Sequence, residues 1–233
     1  MTGVGGRRTQ AQRRDATINA LLEATVVCLA ERGYAGTSTS AICARAGVSQ
    51  GALFRHFPTR QALLVATADL ASRRNIEAAR GLLRFDLAGV EGLTDALLHL
   101  REVVLSPTNQ TWRELLVAAR SDADLRAALR PARLDFQRQM LALAREMWRD
   151  HLPADEVAPV LSIVVNVLDG FAFSALDPAP TAAPGRTVRG ALAVLAQMIV
   201  DRYPDPPADA PNDPTAPNAP NAPTAPTAPE ETR

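Results

Sequence analysis

Twenty residues near the N-terminus, Ser38 to Phe57, constrain this chain more than any other segment. Ser38 has a side chain that can cap a helix, and Ile42 and Ala46 lie four residues apart, as on one helical face. Gly47 follows, and glycine leaves a helix through a positive φ at little cost. The segment is therefore expected to begin with a short helix that ends in a tight turn.

The second half of the segment predicts another helix that packs on the first. Ser49 can cap this helix, Leu53 and Phe57 lie four residues apart, and Pro58 stops it. Val48, in the turn, is expected to fill the core between the two helices. Two short helices joined in this way form a helix-turn-helix, the unit that places its second helix in the major groove of DNA.

Charge is distributed unevenly along a chain whose formal net charge is zero. Residues 1–60 carry eight arginines and three acidic residues, a net charge of +5, and the remainder carries −5. A neutral total by itself argues against a nucleic-acid binder. The basic N-terminal end, however, suits a protein that presents that end to phosphates.

Apolar residues recur at three- and four-residue spacing through most of the chain, and no alternating strand pattern is present, so the fold is expected to be all-α. Gly33 fits the position just after the first helix. Pro131 is expected either to kink or to divide a long helix. Besides the helix-turn-helix, helices are predicted over about 13–32, 60–82, 90–105, 109–121, 122–152, 155–176 and 185–203.

Four regions follow from these patterns. Residues 1–12 are expected to form a flexible basic arm and residues 13–58 a helix-turn-helix domain, with Thr59 capping the next helix. Residues 59–203 are expected to form a larger helical domain. Residues 204–233 hold a loose Ala-Pro repeat with few apolar side chains, which predicts a disordered tail, either a solvated appendage or a docking motif.

The cysteines and the hydropathy of the chain indicate whether it holds a metal or a disulfide and in which compartment it is expected. Cys28 and Cys43 lie in apolar helical patterns with no metal-site or disulfide spacing, so both are expected to be buried thiols in a reducing compartment. No metal or cofactor is expected. With no apolar run long enough to span a membrane and no signal segment, the chain is expected to be cytoplasmic, without a membrane partner.

The run Ala46-Gly47-Val48-Ser49-Gln50-Gly51-Ala52-Leu53-Phe54-Arg55-His56-Phe57, followed by Arg60-Gln61-Ala62-Leu63-Leu64, closely resembles the TetR family of transcriptional regulators. This resemblance covers about residues 13–65. It implies an N-terminal three-helix domain that binds a palindromic operator, and a larger helical domain that binds a small inducer and dimerises. It also implies a ligand-responsive regulator, most often a repressor.

The resemblance assigns DNA-contacting roles residue by residue. Gln50, Gly51 and Ala52 would lie at the groove-facing end of the recognition helix, where an amide can pair with adenine and a methyl group can touch thymine. The remaining candidates would lie near phosphates. The complete set is Ser38, Arg45, Ser49, Gln50, Gly51, Ala52, Arg55, His56 and Arg60.

One residue departs from the family pattern. Phe54 stands where the family usually has tyrosine, so the phenol that would bond a phosphate is absent. For Arg45 and His56, a solvated surface and a packed histidine respectively are equal alternatives to a DNA contact. The arginines of the basic arm are expected to supply charge rather than to enter a minor groove; they are Arg7, Arg8, Arg13 and Arg14.

The last two predicted helices, 155–176 and 185–203, carry the alternating 4-3 spacing of a helix–helix seam. Two such helices from each of two subunits would form a four-helix homodimer interface, and packing within one subunit is the alternative. The seam positions are Val157, Leu161, Val164, Leu168, Phe171 and Ala175 in the first helix, and Val188, Leu192, Leu195 and Ile199 in the second.

A ligand pocket is expected among the helices between Val90 and Leu176. Asn166 and Asp169 interrupt an otherwise apolar helix, so each needs a partner: a ligand, the other subunit or a neighbouring helix. Trp148 and Trp112 are more often core residues. The aliphatic composition favours an apolar inducer. The candidate lining residues are His99, Trp112, Phe136, Met140, Asn166 and Asp169.

Two other functions remain open. A DNA-binding regulator that responds to a protein partner, or to no ligand, fits the same sequence. An enzyme is the remote alternative, because the histidines His56, His99 and His151 lack any accompanying catalytic motif. Asp122 and Asp124 are acidic neighbours at a predicted helix start, where the helix dipole favours negative charge.

Overall fold

The computed structural model describes residues 9–174 and 184–204, and all regular structure in these ranges is helical. The helices are α1 (Gln10–Gly36), α2 (Thr39–Ala46), α3 (Gln50–His56), α4 (Arg60–Arg80), α5 (Gly89–Leu105), α6 (Pro107–Ala118), α7 (Ala123–Met147), α8 (Val157–Ser174) and α9 (Pro184–Arg202). A short 3-10 helix, Gly81–Arg84, extends α4. The predicted all-α fold is confirmed.

Helix α1 begins earlier than predicted. The Thr9 hydroxyl accepts a hydrogen bond from the Gln12 backbone N–H, and the Gln12 side chain accepts one from Thr9 N–H. This capping box places residues 10–12 in the helix, so the prediction of a flexible arm over 1–12 was wrong for that part. Arg7 and Arg8 lie outside the described residues.

The helix-turn-helix folds as its sequence predicts. Gly47 leaves α2 with φ 66° and ψ 32°, and the turn carries the half-buried Val48 over to α3. The core beneath it joins α1, α2, α3 and the start of α4. Its buried residues are Leu21, Leu22, Ala24, Cys28, Ile42, Cys43, Leu53, Phe57 and Leu63. Both cysteines are free and buried, as expected.

A second hydrophobic cluster joins this N-terminal unit to the rest of the chain. Leu29 of α1 and Leu64 of α4 pack there with Trp112 and Leu115 of α6 and Leu125 of α7. We call this set the junction cluster. Helices α1 and α4 of the N-terminal unit therefore pack directly on α6 and α7 of the larger helical domain through this cluster.

Two helices of the larger helical domain, α6 and α7, differ in detail from the predictions. Ser106 caps α6 with Pro107 in its first turn, so α6 begins two residues before the predicted Asn109. Helix α7 runs without division through Pro131. It ends at Met147, rather than continuing to Leu152, because residues 148–151 form turns.

The seam positions predicted for dimerisation face the interior of the subunit. Val157, Val164, Leu168 and Leu192 are buried in the largest hydrophobic cluster, which also holds residues of α5 and α7. Leu161, Phe171, Val188, Leu195 and Ile199 pack against it. The assignment of this stripe to a subunit interface was therefore wrong, since α5 and α7 already cover it.

A different apolar stripe on the same two helices is exposed. Ile163 and Phe173 on α8 and Val194 and Met198 on α9 each expose more than half of their surface. Ala175 of the predicted seam and the predicted tail from Asp205 onward lie outside the described residues. None of the described helices combines the length and apolar character needed to cross a membrane.

Candidate DNA-binding surface and ligand cavity

The N-terminal end of α3 is fixed by a serine cap and open to solvent. The Ser49 hydroxyl accepts a hydrogen bond from Ala52 N–H at 3.2 Å. Gln50 and Gly51 are exposed, and Ala52 is half-buried. Ser38 caps α2 in the same way, accepting from Ala41 N–H at 3.1 Å. These caps hold two helix N-termini with their positive dipole ends at the surface.

Basic residues from two helices lie beside α3. Arg13 and Arg14 of α1 line a surface groove together with Arg55 and His56 at the end of α3. The three arginines are exposed and His56 is half-buried. This brings the predicted residues Arg55 and His56 together with two arginines of the predicted arm, on a surface suited to anions.

Arg45 already has a carboxylate partner. Its guanidinium forms an ion pair with Glu31 of α1, and both side chains are exposed. An exposed pair of this kind contributes roughly 0–1 kcal/mol, so a phosphate can compete for the guanidinium.

The guanidinium of Arg60, in contrast, is held inside the fold. It donates to Tyr34 O at 3.0 Å and to Thr37 O at 3.0 and 3.2 Å, and it lies 4.4 Å above the Tyr34 ring. These bonds hold the carbonyls at the end of α1. Sequence reasoning placed Arg60 at DNA, and the structure instead gives it a role in joining α1 to α4.

Phe54, the departure from the family pattern, has no phenol but is 45% exposed on α3. An exposed aromatic ring on this short helix remains available for packing against another surface.

A cavity of about 530 Å³ opens among α4, α5, α6, α7 and α8. Five of the six predicted lining residues meet there: Trp112, Phe136, Met140, Asn166 and Asp169. The rings of Trp112 and Phe136 are tilted at 52°, with centroids 5.1 Å apart. Trp112 belongs to the junction cluster and Phe136 packs against it, so one wall of the cavity is part of the packing that holds α1 and α4.

His99 is the exception. Its ring lies 5.3 Å from the Phe85 ring, and it does not line the cavity. Trp148 is buried among leucines in the large cluster, in agreement with its interpretation as a core residue. Asn166 is exposed rather than buried. Its amide donates to the Ser162 backbone oxygen at 2.7 Å, so its partner comes from its own helix.

Asp169 finds its partner on a neighbouring helix, one of the alternatives that its sequence left open. Asp169 Oδ1 lies 3.5 Å from Nη1 of Arg113 on α6. Burial raises the pKa of Asp169 above its usual value, and Arg113 partly opposes this shift. Arg113 was not predicted as a cavity residue, because no local sequence pattern in α6 links it to Asp169, which lies 56 positions later.

Polar residues also line the cavity beyond those predicted. Asn75 of α4 donates to Asn109 Oδ1 at 3.1 Å, and Asn109 donates to Val104 O at 2.9 Å. The cavity wall is therefore apolar with several amide and charged groups, rather than purely aliphatic.

Helix α6 contacts the N-terminal unit through side chains that lie away from the cavity. Gln110 donates to Ala30 O at 3.0 Å and Thr111 to Val26 O at 3.1 Å. Glu114 accepts from Tyr34 N–H at 3.1 Å. The same helix presents Trp112 and Arg113 to the cavity. Polar residues at these spacings carry no local signal, so sequence reasoning missed this connection.

The acidic neighbours that could suggest catalysis have a structural role. Asp122 caps α7 by accepting from Leu125 N–H at 2.8 Å, and Asp124 lies in the first turn of that helix. Within the described residues, no group of three or more His, Cys, Asp or Glu side chains is placed to hold a metal ion.

Comparison with known proteins assigns the fold and the class. The family described as bacterial regulatory proteins, tetR family, matches residues 21–67, which span α1 to α4. An uncharacterised HTH-type transcriptional regulator of Mycobacterium tuberculosis, Rv2912c, is 36% identical over 167 residues, covering 71% of this chain and 86% of that protein.

Two further comparisons extend this result. The HTH-type transcriptional repressor AcnR of Corynebacterium diphtheriae is 30% identical over 164 residues, covering 65% of this chain and 76% of that protein. A transcriptional regulator from Rhodococcus sp. Rha1 has the same fold, with a TM-score of 0.65 at 19% identity, covering 82% of this chain and 99% of that one.

The helix-turn-helix geometry and the similarity to Rv2912c over most of both chains lead to the same conclusion. These relatives are transcriptional regulators rather than enzymes. The chain belongs to the TetR family of DNA-binding transcriptional regulators.

Proposed function

We propose that this protein is a homodimeric repressor that binds a palindromic operator through α3 and is released by a small molecule. The observation that carries the proposal is the exposed, serine-capped N-terminus of α3, together with a groove lined by arginines at the C-terminal end of the same helix. The name of the relative AcnR, a repressor, supports the direction of regulation.

Base contacts are assigned to the exposed start of α3. The Gln50 amide is free to pair with adenine, and Gly51 lets the helix backbone approach the bases closely. The half-buried methyl group of Ala52 is placed to touch a thymine methyl. These three residues would supply the sequence specificity.

Phosphate contacts are assigned to the caps and the basic side chains. Ser38 and Ser49 hold their hydroxyls at helix N-termini, where an anion is favoured. Arg45, Arg55 and His56 would add charge around them. Arg13 and Arg14 join this set because they line the same groove as Arg55.

The dimer is assigned to the exposed faces of α8 and α9. Ile163, Phe173, Val194 and Met198 form apolar surface on two helices that are otherwise packed on the subunit core. A second copy that pairs these helices would bury this surface in a four-helix interface. It would also present two copies of α3 to the two half-sites of a palindrome.

Operator binding is tested by selecting bound DNA from a random library with the full chain. With the selected site, Gln50→Ala should relax specificity at one position and cost about 1–3 kcal/mol. Arg55→Ala should weaken binding to all DNA sequences by a similar factor. It should also lower the slope of log affinity against log salt concentration by about 1. Arg138→Ala, an exposed arginine on α7, is the matched control and should change neither.

If Gln50→Ala, Arg45→Ala and Arg55→Ala all bind the selected site as tightly as the unmodified protein, the assignment of α3 and its flanks to DNA is wrong. Sedimentation tests the dimer separately. Val194→Glu with Met198→Glu should give monomers with lost operator affinity, and an unchanged dimer would place the interface elsewhere.

The inducer site is assigned to the cavity, because its wall contains Trp112 of the junction cluster and Phe136, which packs against that cluster. A ligand that shifts α6 or α7 would favour a state in which the two copies of α3 no longer match the operator spacing. A thermal-shift screen tests this: a ligand at one hundred times its Kd should stabilise by about 2.7 kcal/mol. A compound that stabilises the protein without releasing the operator would contradict the coupling.

A further inference from the structure

One guanidinium in the cavity wall has an unmet hydrogen-bonding requirement. Nη1 of Arg113 is buried and, among the described residues, has no hydrogen-bond acceptor. Its nearest anionic atom, Asp169 Oδ1, lies at 3.5 Å, which is longer than a charge-assisted hydrogen bond. A buried donor left in this way destabilises the site unless another group accepts from it.

The charges at this point of the cavity are already balanced. Arg113 is positive and Asp169 is negative, and the two face each other from α6 and α8. Arg113 is also held from one side by the Phe173 ring, whose centroid lies 5.6 Å from Cζ. Arg133, the other arginine of the cavity wall, is exposed on α7.

Much of the rest of the wall is apolar. Trp112, Phe136 and Met140 line it together with Leu100 and Leu161. At one point of its wall the cavity therefore offers a donor and an acceptor 3.5 Å apart, with apolar side chains available in the same wall.

We propose that the cavity binds an uncharged amphipathic molecule whose hydroxyl or amide head accepts a hydrogen bond from Arg113 and donates one to Asp169, with its apolar body against Trp112, Phe136 and Met140. The proposal rests on the ligand-binding role assigned to this cavity above. It refines the apolar inducer expected from composition to one that also carries a hydrogen-bonding head.

Charge decides between this class and its competitors. A carboxylate head would be attracted by Arg113 but repelled by the carboxylate of Asp169. An ammonium head would be attracted by Asp169 but repelled by Arg113. A hydrocarbon would fill the apolar volume and leave Nη1 of Arg113 without an acceptor. A neutral head with both a donor and an acceptor satisfies both side chains.

The test uses five probes with one body: 3-phenylpropan-1-ol, 3-phenylpropanamide, 3-phenylpropanoate, 3-phenylpropylammonium and propylbenzene. Their affinities for the full-length protein are measured by isothermal titration calorimetry. The alcohol and the amide should bind about tenfold or more tightly than propylbenzene, because each satisfies a charged partner. The two charged probes should bind more weakly than the neutral alcohol.

Two variants identify the side chains responsible. Arg113→Met should reduce binding of the alcohol to the level of propylbenzene and leave propylbenzene unchanged. Asp169→Ala leaves Arg113 without its counterion and should shift the preference to 3-phenylpropanoate. Arg133→Met is the matched control, since it removes the other arginine of the wall, and should keep the original ranking.

Three results would overturn the proposal: tightest binding of a charged probe to the unmodified protein, equal binding of propylbenzene and the alcohol, or no binding of any probe. Operator binding is measured on the same samples. A protein that binds its operator but shows one of these results keeps its proposed regulatory function and loses only this ligand class.

Discussion

The side-chain carboxylate of Glu114 accepts a hydrogen bond of 3.1 Å from the backbone N–H of Tyr34, which joins α6 to the end of α1. The bond lies directly after Gly33, where the chain leaves the first helical run with φ 65° and ψ −179°. Glu114 therefore holds a backbone turn that only glycine adopts easily. Because α6 also lines the cavity, this bond is one physical link between the cavity wall and the DNA-binding unit.

Gly33→Ala should destabilise the protein for two reasons. Its backbone conformation disfavours any side chain, and a Cβ there would lie 3.1 Å from Glu114 Oε2. We expect the free energy of unfolding to fall by about 1–3 kcal/mol, measured by urea denaturation.

Gly47→Ala is the matched comparison for this substitution, since it has φ 66° but no heavy atom within 4 Å of the new Cβ. It should cost less than Gly33→Ala. Glu114→Ala and the double variant complete a cycle that isolates the steric contact. If Gly33→Ala is as stable as the unmodified protein, then neither the positive φ of Gly33 nor its contact with Glu114 constrains the end of α1.

Arg60→Met should reduce stability rather than the electrostatic part of DNA binding. Arg60 donates to the carbonyls of Tyr34 and Thr37, and bonds from a charged donor contribute about 1.5–3 kcal/mol. The salt dependence of operator binding should stay the same, measured by fluorescence anisotropy at several salt concentrations. Arg55 is exposed, so Arg55→Met should keep the stability and reduce the salt dependence of operator binding. These roles would be refuted if Arg60→Met changed the salt dependence and Arg55→Met changed the stability.

Gly51→Ala should separate stability from DNA binding. Gly51 lies in α3 without a positive φ, and the nearest atom to a new Cβ is Ser49 Oγ at 3.9 Å. Alanine in place of glycine within a helix should raise the free energy of unfolding by about 0.5–1 kcal/mol. Operator affinity should nevertheless fall, because the added methyl group holds the helix away from the bases. Unchanged affinity would remove Gly51 from the interface.

Glu23→Gln should lower stability at neutral pH only. Glu23 of α1 accepts a hydrogen bond of 2.9 Å from Arg74 of α4, and this bond lowers the pKa of Glu23. A carboxyl group whose pKa is lowered on folding adds stability above its unfolded pKa of about 4.3. That contribution is lost as the pH falls through the lower folded value.

Both side chains of this pair are about half exposed, so the expected difference at pH 7 is about 0.2–1 kcal/mol. Urea denaturation of both proteins at pH 7 and pH 2.5 measures it. The two curves should converge at the lower pH, and a difference that persists there would mean that Glu23 acts by packing rather than by charge.

The sequence by itself determined the helix-turn-helix. Ser38, Ser49 and Thr59 each cap the helix that follows, and Gly47 ends α2, because caps and turns depend on residues within four positions of each other. The same local signals predicted the α-helical class and the burial of Cys28 and Cys43. Five cavity residues were also identified, and two of them, Asn166 and Asp169, stand out because they interrupt an otherwise apolar helix.

Only the tertiary structure decided which partner each side chain meets. The sequence predicts that Arg60 contacts DNA, but the fold places its guanidinium over the Tyr34 ring. The sequence does not identify the partner of Asp169, which is Arg113 on α6. The stripe of α8 and α9 that contains Leu168 and Leu192 has the spacing of a dimer seam, yet it is covered by its own subunit. Helical periodicity reports that a face is apolar, and long-range packing alone determines which neighbour covers that face.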